Sequence, residues 1–196
     1  PDNSLDRAGN NIIEGAWRDF SRFGGPTIDG GLSMVDLCNH IISGVARDGE
    51  VFLKIVKGNY LRYGIGLQLI EPDLVDEEKN ELAANGNQVR MGVELDSKTK
   101  RPIAYYVLNY HKGDYDYMTP AAERKYTRVS ADEMMHIYRP ERADQTRGVP
   151  WSVAAIASLK MLHGYREAEL IAARTGAAKM GFFTSPAGDG FTADGF

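Results

Sequence analysis

The hydrophobic period of this 196-residue chain changes twice, and those changes restrict its fold more than any single motif does. Apolar residues first recur at helical spacing near residues 8–23. Ile12, Ile13, Ala16, Trp17, Phe20 and Phe23 share one face, with Glu14, Arg18 and Arg22 opposite. "RFGGPTIDGG" stops that helix. A second helix starts at Ser33, with Asp36 three residues on as in a capping box. Its expected buried stripe is Val35, Cys38, Ile41, Ile42 and Val45. At Asp48-Gly49 the period becomes two. "EVFLKIVKG" and "IGLQLIEP" read as strands joined by a polar turn, and "VRMGVELD" and "PIAYYVLNYH" as a hairpin around "SKTKR". "KYTRVS" and "MMHIYR" read as a last strand pair turning at "ADE". From Pro150 the helical period returns. Proline suits the first turn of a helix, where its missing N–H has no partner to lose.

The expected fold class is therefore α+β. N-terminal helices precede a small, barrel-like antiparallel meander of five or six strands, and a long C-terminal helix follows. That last helix is expected over residues 151–183, about 50 Å long, with Gly164 as the point where it kinks or divides. Its later turns hold small residues, and Ala172, Ala173, Gly176 and Ala177 form a face on which another helix could pack closely. The organisation reads as an α/β domain over 1–149, a helix over 150–184 and a tail over 185–196. The end of the chain, "TSPAGDGFTADGF", which includes Thr184 ahead of that tail, looks flexible or cut short, and the chain begins at Pro1 without methionine.

Little in the sequence points to catalysis. His40, His111, His136 and His163 lie in four different elements, and no pair has metal-ligand spacing. Cys38, the only cysteine, sits among apolar neighbours and reads as a small buried hydrophobe. A GxSxG elbow and a phosphate-cradling GxxxxGK[ST] loop are both absent. The acids of "EPDLVDEEKNE" read as a solvated loop. No apolar run reaches the roughly 20 residues that span a bilayer.

One charged cluster has an architectural setting: "RPERADQTRGVPW", between the last strand and the last helix. Arginine forks suit phosphate, so Arg139, Arg142 and Arg147 could form an anion clamp in an enzyme or binding module. From Arg139 to Lys179 seven basic residues face four acids, a local excess in a chain whose net charge is -4, which fits an acidic partner or DNA. The loop could instead be braced internally, its arginines bonding its own carbonyls and carboxylates, Glu141 and Asp144 included. The residues alone leave these readings open.

The segment "MMHIYRPERADQTRGVPWSVAAIASLKMLHGYREAELIAARTGAAKMGFF" resembles the most characteristic stretch of lambda-type tailed-phage portal proteins. "ISGVARDGEVFLKIV", "LQLIEPDLV" and "GVELDSKTKRPIAYYVL" are similar to the same family in the same order, so the resemblance covers residues 12–184. It implies a structural protein without enzymatic activity or cofactor: a homo-oligomeric ring, usually of twelve subunits, at one vertex of the phage head. Double-stranded DNA would pass through it during packaging and ejection, and terminase, the major capsid protein and head-completion proteins would be its partners. Its place would be the virion, after assembly in the host cytoplasm, with no membrane involved. The resemblance makes 1–149 a wing and 150–184 the helix leading into a stem. The clip, the second stem helix and the crown would follow "GFFTSP". Arg139, Arg142, Gln145, Arg147 and Trp151 become the wing-to-stem joint or a subunit interface. On that placement Arg147→Ala is expected to weaken ring assembly more than it destabilises the folded monomer.

Overall fold

The computed structural model describes residues 6–83, 85–111, 113–114 and 124–178. The expected helix end at 179–183 and the expected tail over 185–196 lie outside those residues. The chain divides into two units, Pro1–Val153 and Ala154–Phe196.

The first unit begins with α1, Arg7–Phe20, whose first turn is capped by Asp6 accepting from the Gly9 N–H at 2.9 Å. Helix α2, Met34–Asp48, opens on the expected capping box: the Ser33 hydroxyl accepts from the Asp36 N–H, and the Asp36 carboxylate accepts from the Ser33 N–H. Its buried face is not the expected stripe. Leu37 and Gly44 point inward, whereas Val35, Cys38 and Ile42 are exposed. Gly44 explains the choice. It lies against the Val51 side chain, so the absence of a side chain lets the next strand approach there.

That strand is β1, Glu50–Lys57, buried on both faces over its first four residues. It is the centre of a three-stranded antiparallel sheet in the order β2-β1-β8, where β2 is Ile65–Ile70 and β8 is Met134–Tyr138. A five-stranded antiparallel sheet runs β3-β4-β5-β6-β7, namely Glu81–Leu82, Gln88–Arg90, Val93–Leu95, Pro102–Leu108 and Tyr126–Ser130. The two sheets share one core, with Phe52, Ile70 and Met134 from the first meeting Val93, Tyr105, Val107 and Val129 from the second.

Two strand expectations change. "VRMGVELD" is not one strand, because Met91 and Gly92 both adopt positive φ (49° and 79°) and make a two-residue turn that pairs Arg90 with Val93. "KYTRVS" and "MMHIYR" are not partners. Ser130 caps a 3-10 turn at Ala131–Glu133, and the turn carries the chain from one sheet to the other. Among the described residues the expected α+β class holds, with the antiparallel strands, eight in number and some only two or three residues long, in two sheets and no closed barrel. The "SKTKR" hairpin forms as read, its turn held by the Asp96 carboxylate accepting from the N–H groups of Lys98 (2.8 Å) and Thr99 (2.7 Å).

The "EPDLVDEEKNE" loop is only partly solvated. Asp76 is fully buried and accepts from the Tyr126 hydroxyl at 2.7 Å and from Arg124 at 3.0 Å. Burial pushes its carboxyl up, but the Tyr126, Glu78 N–H and Arg124 hydrogen bonds outweigh that and hold it below the ordinary carboxylate range. A second buried acid, Glu94 on β5, accepts from Arg128, Asn85, Asn87 and Tyr106.

The second unit is described by one helix, α3, Ile156–Ala178, about 35 Å long at 1.5 Å per residue. It starts later than Pro150 suggested, because Trp151 and Ser152 form a turn and Val153–Ala155 a 3-10 turn ahead of it. Gly164 does not divide it. Its described side chains are exposed.

Candidate functional site

The loop of residues 139–151 does not act as one cluster. Arg139 and Arg142 are exposed, and neither side chain has a hydrogen-bonding or ionic partner among the described residues. Arg147 is turned into the first unit, with its side chain only 12% exposed. Its Nε donates to Glu50 at 2.5 Å. One terminal nitrogen donates to the carbonyls of Val75 and Met91, each at 2.8 Å, and the other to the Pro72 carbonyl at 3.1 Å. The guanidinium also lies over the Phe52 ring, 5.3 Å from its centroid. One side chain thus ties β1, the 72–75 turn and the β4–β5 turn to the loop.

Glu50 is the counter-charge, and it too is satisfied. Its other oxygen accepts from the Gly148 N–H at 2.7 Å and bonds His136 Nε2 at 2.8 Å. Burial pushes the Glu50 carboxyl up. The His136 hydrogen bond, the Arg147 charge and the Gly148 N–H outweigh it and hold the group below its ordinary value. The His136 ring lies between Phe52 and Tyr138, with centroids 4.2 and 4.3 Å away. Burial raises the Tyr138 hydroxyl, as it does that of Tyr105 beside it, which is pushed up to about 12.

Gln145 sets the shape of the loop. Its side-chain oxygen accepts from the N–H groups of Glu141 (2.7 Å) and Arg142 (3.2 Å), and its amide donates to the Arg147 carbonyl at 2.7 Å. The Tyr138 hydroxyl donates to the Gln145 carbonyl at 2.9 Å. Asp144 takes positive φ (57°) at the tip, as short acidic residues tolerate. The loop closes where Gly148 crosses Gly49. Gly49 has φ +91° and lies against the backbone of Val149 and Pro150, and a Cβ on Gly148 would overlap the Gly49 carbonyl. Trp151 follows, its ring exposed and its N–H donating to the Ala46 carbonyl of α2 at 3.2 Å.

The internal brace is therefore real but differently built from the one expected. Arg147 uses Glu50 and carbonyls distant in sequence. Neither Glu141 nor Asp144 pairs with an arginine of the loop among the described residues. A three-arginine anion clamp is not assembled. Arg142 and Arg147 both line a groove of about 600 Å³, but the Arg147 donors are already committed. The His136–Glu50 pair is buried, with side chains 5% and 4% exposed. No group of three or more metal-binding side chains occurs among the described residues.

Sequence reasoning missed Glu50 and His136. Both carried a signal. Glu50 shares its strand parity with Phe52, and His136 shares its parity with Met134, so each put a polar group on an inward face. The small face of α3, Ala172, Ala173, Gly176 and Ala177, is exposed in the second unit.

Comparison with known proteins adds an independent line. The family model described as phage portal protein, lambda family, matches residues 2–195. A protein titled "Probable portal protein" from Halomonas phage phiHAP-1 is 40% identical over 176 residues, which is 90% of this chain and 33% of that protein. The chain thus spans about a third of the length of that relative.

Proposed function

Because this chain belongs to the lambda family of phage portal proteins, we propose that it is the wing and first stem segment of a portal subunit. In this reading copies of the full protein close into a homo-oligomeric ring, a dodecamer, at one vertex of the phage head. Double-stranded DNA enters and leaves through the ring, which docks terminase, the major capsid protein and head-completion proteins. The subunit is structural, takes no cofactor, and passes from host cytoplasm to virion. Residues 1–149 are the wing and 150–184 the stem-leading helix, with 185–196 continuing beyond it. The face of Ala172, Ala173, Gly176 and Ala177 packs against a neighbouring helix.

The observation that carries this reading is the family match over 2–195. The geometry is compatible with it. The segment ahead of α3 is anchored by Arg147, Gln145 and the Gly49–Gly148 crossing, which suits a joint that transmits load. Arg139, Arg142 and Trp151 stay exposed there for a neighbouring subunit. No described helix is long and apolar enough to cross a membrane. Electron-microscopic class averages of the full-length protein test the proposal. Closed rings with a central channel are expected, and monodisperse monomers under assembly-promoting conditions would refute it.

A further inference from the structure

Helix α1 is strongly amphipathic, yet none of its residues is buried. Ile12 is 73% exposed and Trp17 56%, on one face with Ile13. The helix is held at its C-terminal end. The Asp19 carboxylate accepts from the Tyr63 hydroxyl at 2.5 Å and pairs with Arg62 at 2.8 Å, and the Ser21 carbonyl accepts from the Met34 N–H at 3.1 Å. Trp17, Phe20 and Tyr63 form a run of ring contacts at 6.0 and 5.9 Å, with Arg62 over the Tyr63 ring. Phe23 and Tyr60, both exposed, line the adjoining cleft. Tryptophan, tyrosine and arginine are the residue types that dominate binding energy in protein interfaces.

The same unit carries a second uncovered helical surface. On α2, Val35 (69% exposed), Cys38 and Ile42 (62% exposed) recur at i, i+3 and i+7, on the side away from Leu37 and Gly44. Asn39 and Ala46 flank the stripe, so none of these positions carries a charge that burial would have to desolvate. One surface is a bulky ridge and the other a slender apolar stripe. Two different and complementary patches on one chain are what a head-to-tail ring interface requires, whereas a two-fold contact needs only one self-complementary patch. Ile12, Ile13 and Trp17, all more than half exposed, put the α1 ridge within roughly 300–600 Å², the size of the largest apolar patches on monomers and a sizeable part of the ~800 Å² each partner gives to a standard interface.

We propose that the α1 ridge centred on Ile13 and Trp17 packs on the α2 stripe of Val35, Cys38 and Ile42 in the next copy of the same chain. This rests on the ring reading and specifies which wing surfaces meet. The native cysteine makes it testable. In the full-length protein, Ile13→Cys places a thiol on the ridge opposite Cys38 of the neighbour, and a disulfide forms only if the Cα atoms lie within about 7 Å. Mild oxidation should give a ladder of covalent multimers on non-reducing gels. Reductant should collapse it, Cys38→Ser should abolish it, and peptide mapping should find residue 13 linked to Cys38. An intramolecular link in a monomer, a product stopping at dimers, or no ladder overturns the contact.

Trp17→Glu is a second test. It should raise the concentration needed for assembly about tenfold or more, as expected for a buried aromatic anchor. The melting temperature of the dissociated subunit should change little, since Trp17 is more than half exposed there and its ring contact is with Phe20, and unchanged assembly overturns the contact. Rings seen in micrographs without a ladder would sink this contact and leave the portal reading standing. The absence of both rings and ladder would sink both.

Discussion

Replacing Arg147 with alanine removes four hydrogen bonds from one largely buried point. It leaves Glu50, whose side chain is 4% exposed, with only the Gly148 N–H and His136 as partners. Removing one member of a buried ion pair costs about 3–5 kcal/mol, because the remaining charge stays desolvated. The three carbonyls released add less than a full penalty each, since that of Pro72 keeps the Val75 N–H and Met91 lines an open groove. The expected loss is therefore about 3–5 kcal/mol, a large part of the roughly 5–15 kcal/mol that holds a typical domain together. Urea unfolding of the 196-residue chain, followed by tryptophan fluorescence, measures it. At an m value of roughly 2 kcal/mol/M the midpoint should fall by about 1.5–2.5 M. Arg147→Lys should recover only part of this, because a point charge can meet Glu50 but cannot reproduce a planar fork aimed at three carbonyls. A midpoint unchanged by Arg147→Ala, with ring assembly lost, would refute this reasoning and return the arginine to a subunit interface.

The Glu94 carboxyl is held at about 2, first by the Arg128 hydrogen bond and then, against burial, by Asn85 and Asn87. A folded value below the unfolded one stabilises fully above about pH 4.5. The contribution, on the order of 3 kcal/mol, disappears as pH falls through about 2. Glu94→Gln should flatten that part of the stability–pH curve, read from urea midpoints between about pH 5 and about pH 2. At the backbone crossing, Gly148→Ala would push a methyl into the Gly49 carbonyl. It should cost about 1–3 kcal/mol or more, seen as a lower melting temperature, and an unchanged melt would mean that the crossing is loose.

Locally encoded features were readable. The Ser33–Asp36 capping box, the Asp96 turn and the switch of period at Asp48-Gly49 each depend on a few adjacent residues, and each forms as read. Features decided across the chain were not. β7 and β8 read as partners because they are adjacent, yet each finds a better-placed strand, β6 and β1 respectively. Met91 has no sequence mark of positive φ, so the turn splitting β4 from β5 was hidden. Helix α2 carries two candidate apolar faces, and spacing alone favoured the larger side chains over Leu37 and Gly44. In the loop, Arg147 was visible as a candidate. Its partner Glu50 lies 97 residues away, beyond any local pattern.

That separation also bears on how the chain acquires its shape. β1 can pair with β2 as soon as residue 70 is made, but its other edge waits for β8 at Met134–Tyr138. Contacts closing loops this long form slowly, because the closure entropy precedes the gain. The guanidinium is fully satisfied only when the 72–75 turn and the β4–β5 turn are in place, since their carbonyls accept from it too. The complete brace therefore requires closures across both sheets. Until the two sheets have docked, the loop of residues 139–151 lacks its anchor, so its shape depends, through one side chain, on contacts that span most of the first unit.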